Sequence, residues 1–171
     1  MFFIIISITL LSIIFYQDLK YKAVTWILFP LIAIVFITYN LYSNNISVVA
    51  FNSAINLVFV LLQLLILTLY FSLKARKIVN IAQQSLGWGD ILFLTSVCLL
   101  LPPDTFFLFY VISLILIVLK EIISRIVFAK FSEKIPLAGL QALLLSLLII
   151  FQQIFLEKNI TQEMFQFTSY G

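Results

Sequence analysis

Six apolar stretches divide this chain, and the polar residues between them are too few to give it the surface of a soluble domain. Residues 2–15, 24–42, 47–73, 89–101, 105–119 and 136–155 carry a single acid and no base among them. In hydrocarbon every backbone N–H and C=O must find its partner inside the segment, so apolar runs like these read as helices. At 64% hydrophobic and only 10% charged residues over 171 positions, the chain is an integral membrane protein. The predicted fold is an all-α, polytopic bundle of about six transmembrane helices. It forms a single domain over residues 1–171, with no internal repeat and no linker.

The flanks of these runs predict orientation. No Lys or Arg precedes the first run and no small-x-small site follows it, so it is expected to stay as a helix and not to be removed as a signal peptide. Lys20, Lys22, Lys74, Arg76, Lys77, Lys120, Arg125, Lys130 and Lys134 all fall on one face of a six-span arrangement, with Lys158 opposite. By the positive-inside rule that face is cytoplasmic and both termini lie outside, in a multi-pass cell-membrane (inner or plasma membrane) protein. The basic residues therefore report topology and contact with anionic lipid, and no nucleic-acid partner is expected. After the fifth run, Lys120, Glu121, Ser124 and Arg125 alternate with Ile122, Ile123, Ile126 and Val127 at helical spacing, an amphipathic extension at the interface.

The available chemistry is narrow. The chain has no His and one Cys, Cys98, which excludes a disulfide framework, a Cys/His zinc site and a redox pair. No cofactor and no metal is expected, and any reaction must use carboxylates, hydroxyls or amides. The acid inside the fourth run is Asp90, introduced by Gly87-Trp88-Gly89. A carboxylate at the edge of hydrocarbon costs on the order of 3 kcal/mol, so it reads by default as functional and needs a partner. Asp18, just beyond the first run, is the candidate. A helix over 89–101 is roughly 20 Å long against a hydrocarbon core of about 30 Å, which recesses Asp90 by up to about 10 Å. Residues 1–18 span only about 26 Å, which brings Asp18 to a similar depth.

Two carboxylates at one level suggest aspartic-protease chemistry. Like charges within hydrogen-bond range cannot both ionise, so one acid keeps a proton and the pair titrates as a unit. The ionised member takes a proton from an attacking water, and the other donates to the oxyanion or the departing amine. Gly87 and Gly89 fit this scheme as residues that permit unusual backbone dihedrals and close approach of a substrate chain.

The residues now on the page resemble a known family. Gly87-Trp88-Gly89-Asp90 looks like the GxGD motif of membrane aspartyl proteases, and Asp18 with its following basic residues looks like the other catalytic position of type IV prepilin peptidases. The stretch from Lys134 through Pro136 to Ala142 is similar to the Ile-Pro-Phe-x-Pro-Phe segment that opens the family's last helix. The resemblance implies an aspartic-type endopeptidase that cuts the basic leader from prepilin-like, pseudopilin or preflagellin precursors at the cytoplasmic face, with Asp18 and Asp90 as its dyad. Such partners present a basic leader and a hydrophobic helix, as in type IV pilus assembly and protein secretion. Val24-Thr25-Trp26 stands where the family commonly has Ile-Pro-Asn, Leu92 where it often has Lys, and Gly139 where it has its second Pro. No paired CxxC motifs are present, so the chain looks like the short peptidase-only form, without methyltransferase activity.

Each feature also has a plainer reading. Gly-x-Gly-Asp arises at ordinary helix starts, where an acid meets the positive end of the dipole. Asp18 can be an interfacial acid neutralised by Lys20 or Lys22. Those two lysines are the candidates for binding acidic parts of a substrate, although topology accounts for them as well. Asn52, Asn56 and Gln63 share one helix face, as interhelical hydrogen bonding requires. Glu121 and Arg125 form an i,i+4 pair, and Cys98 reads as a small buried hydrophobe. A metal-dependent membrane phosphotransferase would need clustered acids, which the sequence does not show. A presenilin-like protease shares GxGD, but this chain lacks a Tyr-Asp pair at the first acid and has Pro-Leu-Ala in place of Pro-Ala-Leu. A non-enzymatic membrane subunit or transporter-like protein predicts that either Asp is replaceable.

Overall fold

The computed structural model describes residues 2–75, 87–128 and 137–153, and most of those residues are helical, with no strand among them. In chain order the helices are α1 (Phe2–Tyr21), α2 (Leu28–Ser43), α3 (Ile46–Ala75), α4 (Trp88–Val97), α5 (Pro103–Phe128) and α6 (Leu137–Phe151). Three of them, over Phe2–Tyr21, Ile46–Ala75 and Pro103–Ile123, are long and apolar enough to cross a membrane; α2, α4 and α6 are shorter apolar helices. Arg76, Lys77, Lys130, Lys134, Pro136 and Lys158 lie outside the described residues, as does the side chain of Arg125.

The bundle is built around α6. Of its 15 residues only Leu147 and Phe151 are exposed, and it packs against α1, α4 and α5. Ala138 and Ala142, one turn apart, present almost no side chain, which is the pattern that lets apolar helices approach closely where lipid gives no hydrophobic drive. Against them α1 lays a stripe of Ser7, Leu11, Ile14 and Asp18, spaced at four, three and four residues. Phe36, Phe93, Phe106 and Leu145 complete the core. Hydroxyls in α1 close on their own helix, Ser7 Oγ to the Phe3 carbonyl and Ser12 Oγ to that of Ile8, both at 2.8 Å. In a medium without water that is how a Ser becomes tolerable.

Helix boundaries depart from the apolar runs in two informative places. The first run ends at residue 15, yet α1 continues to Tyr21, because Gln17, Asp18 and Lys20 end hydropathy without breaking a helix. Asp18 is thus inside α1, on its buried stripe. The helix stops where Lys22 takes a left-handed φ of 50° and donates its N–H to the Asp18 carbonyl at 2.9 Å.

The fourth run was expected to be helical over residues 89–101, but α4 ends at Val97 and tightens into a turn. Pro102 and Pro103 are the cause. Neither has an N–H, so the carbonyls of Cys98 and Leu99 lose the donors an α-helix would supply. Side chains from other helices replace them. The Asn56 amide donates to Cys98 at 3.2 Å and to Leu101 at 2.8 Å, and the Asn40 amide donates to Leu99 at 3.0 Å. This is the interhelical role expected for the polar face of α3, where Gln63 also bonds the Tyr110 side chain and Asn52 is buried. Asn56→Leu should therefore cost about 2–5 kcal/mol, the penalty for leaving two buried carbonyls unmade. The check is a lower melting temperature in detergent than the parent, and unchanged melting would mean that another donor serves them.

α3 buries residues mainly along its first half, with Gln63 and Leu64 still touching the bundle. Its buried residues are Val49, Asn52, Asn56 and Val60, and beyond them Leu61, Leu65, Leu69 and Leu73 are exposed. At ~1.5 Å per residue the helix is about 45 Å long, more than a hydrocarbon core requires, and its apolar outer surface suits lipid.

Candidate functional site

Three helix ends meet at one point of the bundle: the last turn of α1 and the first turns of α4 and α6. The first turn of any α-helix leaves N–H groups without an intrahelical acceptor. In α6 two of these are taken up by acids from elsewhere in the chain. The Gly139 N–H donates to Asp18 Oδ2 at 2.6 Å, and the Ala138 N–H donates to Asp90 Oδ1 at 2.8 Å. Adjacent backbone nitrogens are close, so these two bonds hold the carboxylates within about 8 Å of each other. The two acids interact electrostatically. Residues 72 positions apart in sequence have thus been brought to neighbouring rungs of a third helix.

Asp90 has a second bond. Its Oδ2 accepts the Gly87 N–H at 3.2 Å across the first turn of α4, the acidic half of a capping box whose N-cap residue has no side chain to reciprocate. Both oxygens of Asp90 are therefore engaged by the N-terminal amides of two helices, where the dipole favours negative charge. Asp18 is 7% exposed, and its carboxylate is held by α6. Lys20 is engaged elsewhere: its ammonium donates to the Tyr16 hydroxyl at 2.8 Å and sits 5.2 Å from the centres of the Tyr16 and Tyr21 rings, on the exposed side of α1. Neutralisation of Asp18 by Lys20 is not the arrangement found.

The dihedral half of the expectation for the glycines needs correcting. Gly87 and Gly89 were expected to permit unusual dihedrals and close approach of a substrate chain, but no described glycine has a positive φ, and Gly87 sits at φ −69° and ψ 145°, a conformation any residue adopts. A Cβ at Gly87 would stand 3.3 Å from Asp90 Oδ2, a tight contact with the far end of a side chain, and one at Gly89 would meet only the Phe29 ring, at 3.5 Å. The glycine that the site needs is Gly139. A Cβ at that position would lie 2.8 Å from Asp18 Cβ and 2.9 Å from its Oδ2, closer than atoms can stand. In the sequence Gly139 registered only as a missing Pro. The signal that could have singled it out is its place in the first turn of an apolar helix, beside Ala138, where small residues permit contact.

Among the described residues no group of three or more His, Cys, Asp or Glu side chains could hold a metal ion. Cys98 is buried, as a small hydrophobe would be. Of the other described acids, Asp104 is exposed at the start of α5, and Glu121 is buried on the α5 face that carries Ser113 and Ile117. Two carboxyl groups at one point of the bundle, in a site with few other polar groups, are the groups there that can accept a proton from water and return one. The chain matches no protein-family model, no curated protein and no solved structure.

Proposed function

We propose that the protein is a membrane aspartyl endopeptidase of the prepilin peptidase type, with Asp18 and Asp90 as its dyad. The observation that carries this reading is the convergence of the two acids, from α1 and α4, on the adjacent amides of Ala138 and Gly139. It agrees with the GxGD-like stretch at Gly87-Trp88-Gly89-Asp90 and with an acid placed at the end of the first helix.

On this reading all six helices belong to one membrane-embedded domain in the cell membrane, with both termini outside and the dyad at the cytoplasmic face. The substrate is a pilin-like precursor whose basic leader lies in the cytosol and whose apolar helix lies in the bilayer. One proton is held between the two carboxyl groups. The charged member accepts a proton from water as that water attacks the scissile carbonyl, and the neutral member donates to the oxygen or to the leaving nitrogen. Lys20, Lys22 and Lys74 remain at the lipid surface in this scheme.

The test is direct. Purified protein in liposomes is mixed with a precursor carrying a basic leader and an apolar helix, with and without chelator, and leader release is followed on a gel. Cleavage that survives the chelator is expected. An intact precursor would overturn the reading, and activity that depends on added Mg²⁺ would favour a phosphotransferase or other metal-dependent reaction.

One observation also supports a second reading. Each bond to Asp90 and Asp18 is a helix-capping bond, so a non-enzymatic membrane subunit could use the same acids to close the N-termini of α4 and α6.

A further inference from the structure

We infer that the backbone N–H groups of Ala138 and Gly139 are the positioning groups of the dyad, doing with main chain what other sites do with side chains. The inference rests on the hydrolase reading of Asp18 and Asp90 and adds two residues whose identities would not suggest a role.

The argument begins with rigidity. Ala138, Gly139, Ala142, Leu145 and Ile149 are buried, so the first turn of α6 continues a segment locked in the core. An amide in that turn has no rotamer to lose, and successive amides have a separation set by covalent geometry. A carboxylate bound to each is held at a fixed spacing from the other, although the acids belong to helices that touch α6 from different directions. Both donors also lie at the positive end of the helix dipole, which stabilises negative charge on whichever acid is ionised. Lys20, the cation nearest in sequence to Asp18, is turned to Tyr16 and Tyr21.

The sequence requirement follows. Position 138 needs an N–H and a small side chain; position 139 needs an N–H and no side chain, because Asp18 Cβ already occupies the space. These are positioning residues and touch no substrate.

Amide-to-ester replacement tests this without adding bulk. In the full-length chain, Ala138 is replaced by lactic acid or Gly139 by glycolic acid through nonsense suppression, each deleting one N–H. The same exchange at Leu143, in the middle of α6, controls for weakening of the helix itself. Each of the first two should lower kcat on the precursor by roughly 10- to 100-fold with KM unchanged, as loss of a hydrogen bond to a charged group predicts. Leu143 as an ester should leave kcat near the parent value. Esters at 138 and 139 that cleave like the parent, or lose no more than the Leu143 ester, would overturn the proposal. Cleavage by Asp18→Asn and Asp90→Asn would instead overturn the hydrolase reading beneath it.

Discussion

Asp18→Asn and Asp90→Asn should each reduce precursor cleavage by about 10²–10⁴-fold while the protein still inserts and folds. The two halves of that expectation have separate causes. Asn keeps a carbonyl oxygen, so Asn at 18 still accepts the Gly139 N–H, and Asn at 90 still accepts from either Ala138 or Gly87. As a helix cap Asn is about as good as Asp, and the cost to stability should be about 1 kcal/mol or less. Catalysis has no such substitute. An amide neither takes a proton from water nor passes one to a leaving nitrogen, and removal of a positioned acid or base is worth about 10²–10⁴-fold. On the hydrolase reading the two acids work as a unit, so the double variant should be little worse than either single one. Detergent melting and the liposome cleavage assay separate the effects. Normal cleavage by either variant would leave capping as the whole role of that acid.

Gly139→Ala should reduce activity by roughly 100-fold and destabilise the bundle by about 1–3 kcal/mol, whereas Gly89→Ala should be close to neutral. One methyl group is added in each case. At position 139 it arrives 2.8 Å from Asp18 Cβ, and the obstacle is the root of a side chain on a buried helix stripe, not a flexible tip. Either α1 or α6 must move by several tenths of an ångström, and packed cores resist such shifts at about the stated cost. The movement also lengthens the 2.6 Å bond that places Asp18, and misplacement of a reacting group by about 1 Å can cost 10²-fold. At position 89 the added methyl meets the Phe29 ring at an ordinary contact distance of 3.5 Å. Damage from Gly89→Ala with Gly139→Ala harmless would instead place the clearance that matters in the GxGD-like stretch and not in α6.

Much of the architecture is legible in the residues themselves. Apolar runs separated by short polar connectors determine helices, because hydrocarbon leaves the backbone no other way to satisfy its N–H and C=O groups. Asn56 and Gln63 announce interhelical bonds for the same reason, and Pro102-Pro103 announces a break. Asp90 stands out from its run because a lone acid there demands explanation. Hydropathy did not say where α1 ends, since a helix can outlast its apolar stretch, nor that α4 would stop at Val97, since the donors that make the early stop tolerable come from α2 and α3.

What only the tertiary structure decided is the device that unites the two acids. Nothing local to Asp18 or Asp90 names Ala138 and Gly139, because a backbone amide leaves no mark in a sequence and the absence of a Cβ is visible only against whatever would have filled its place. Hydropathy is a property of each segment alone, so residue order was enough to determine the helices. The placing of the two acids depends on how α1, α4 and α6 pack together, and that is settled only once all three have met.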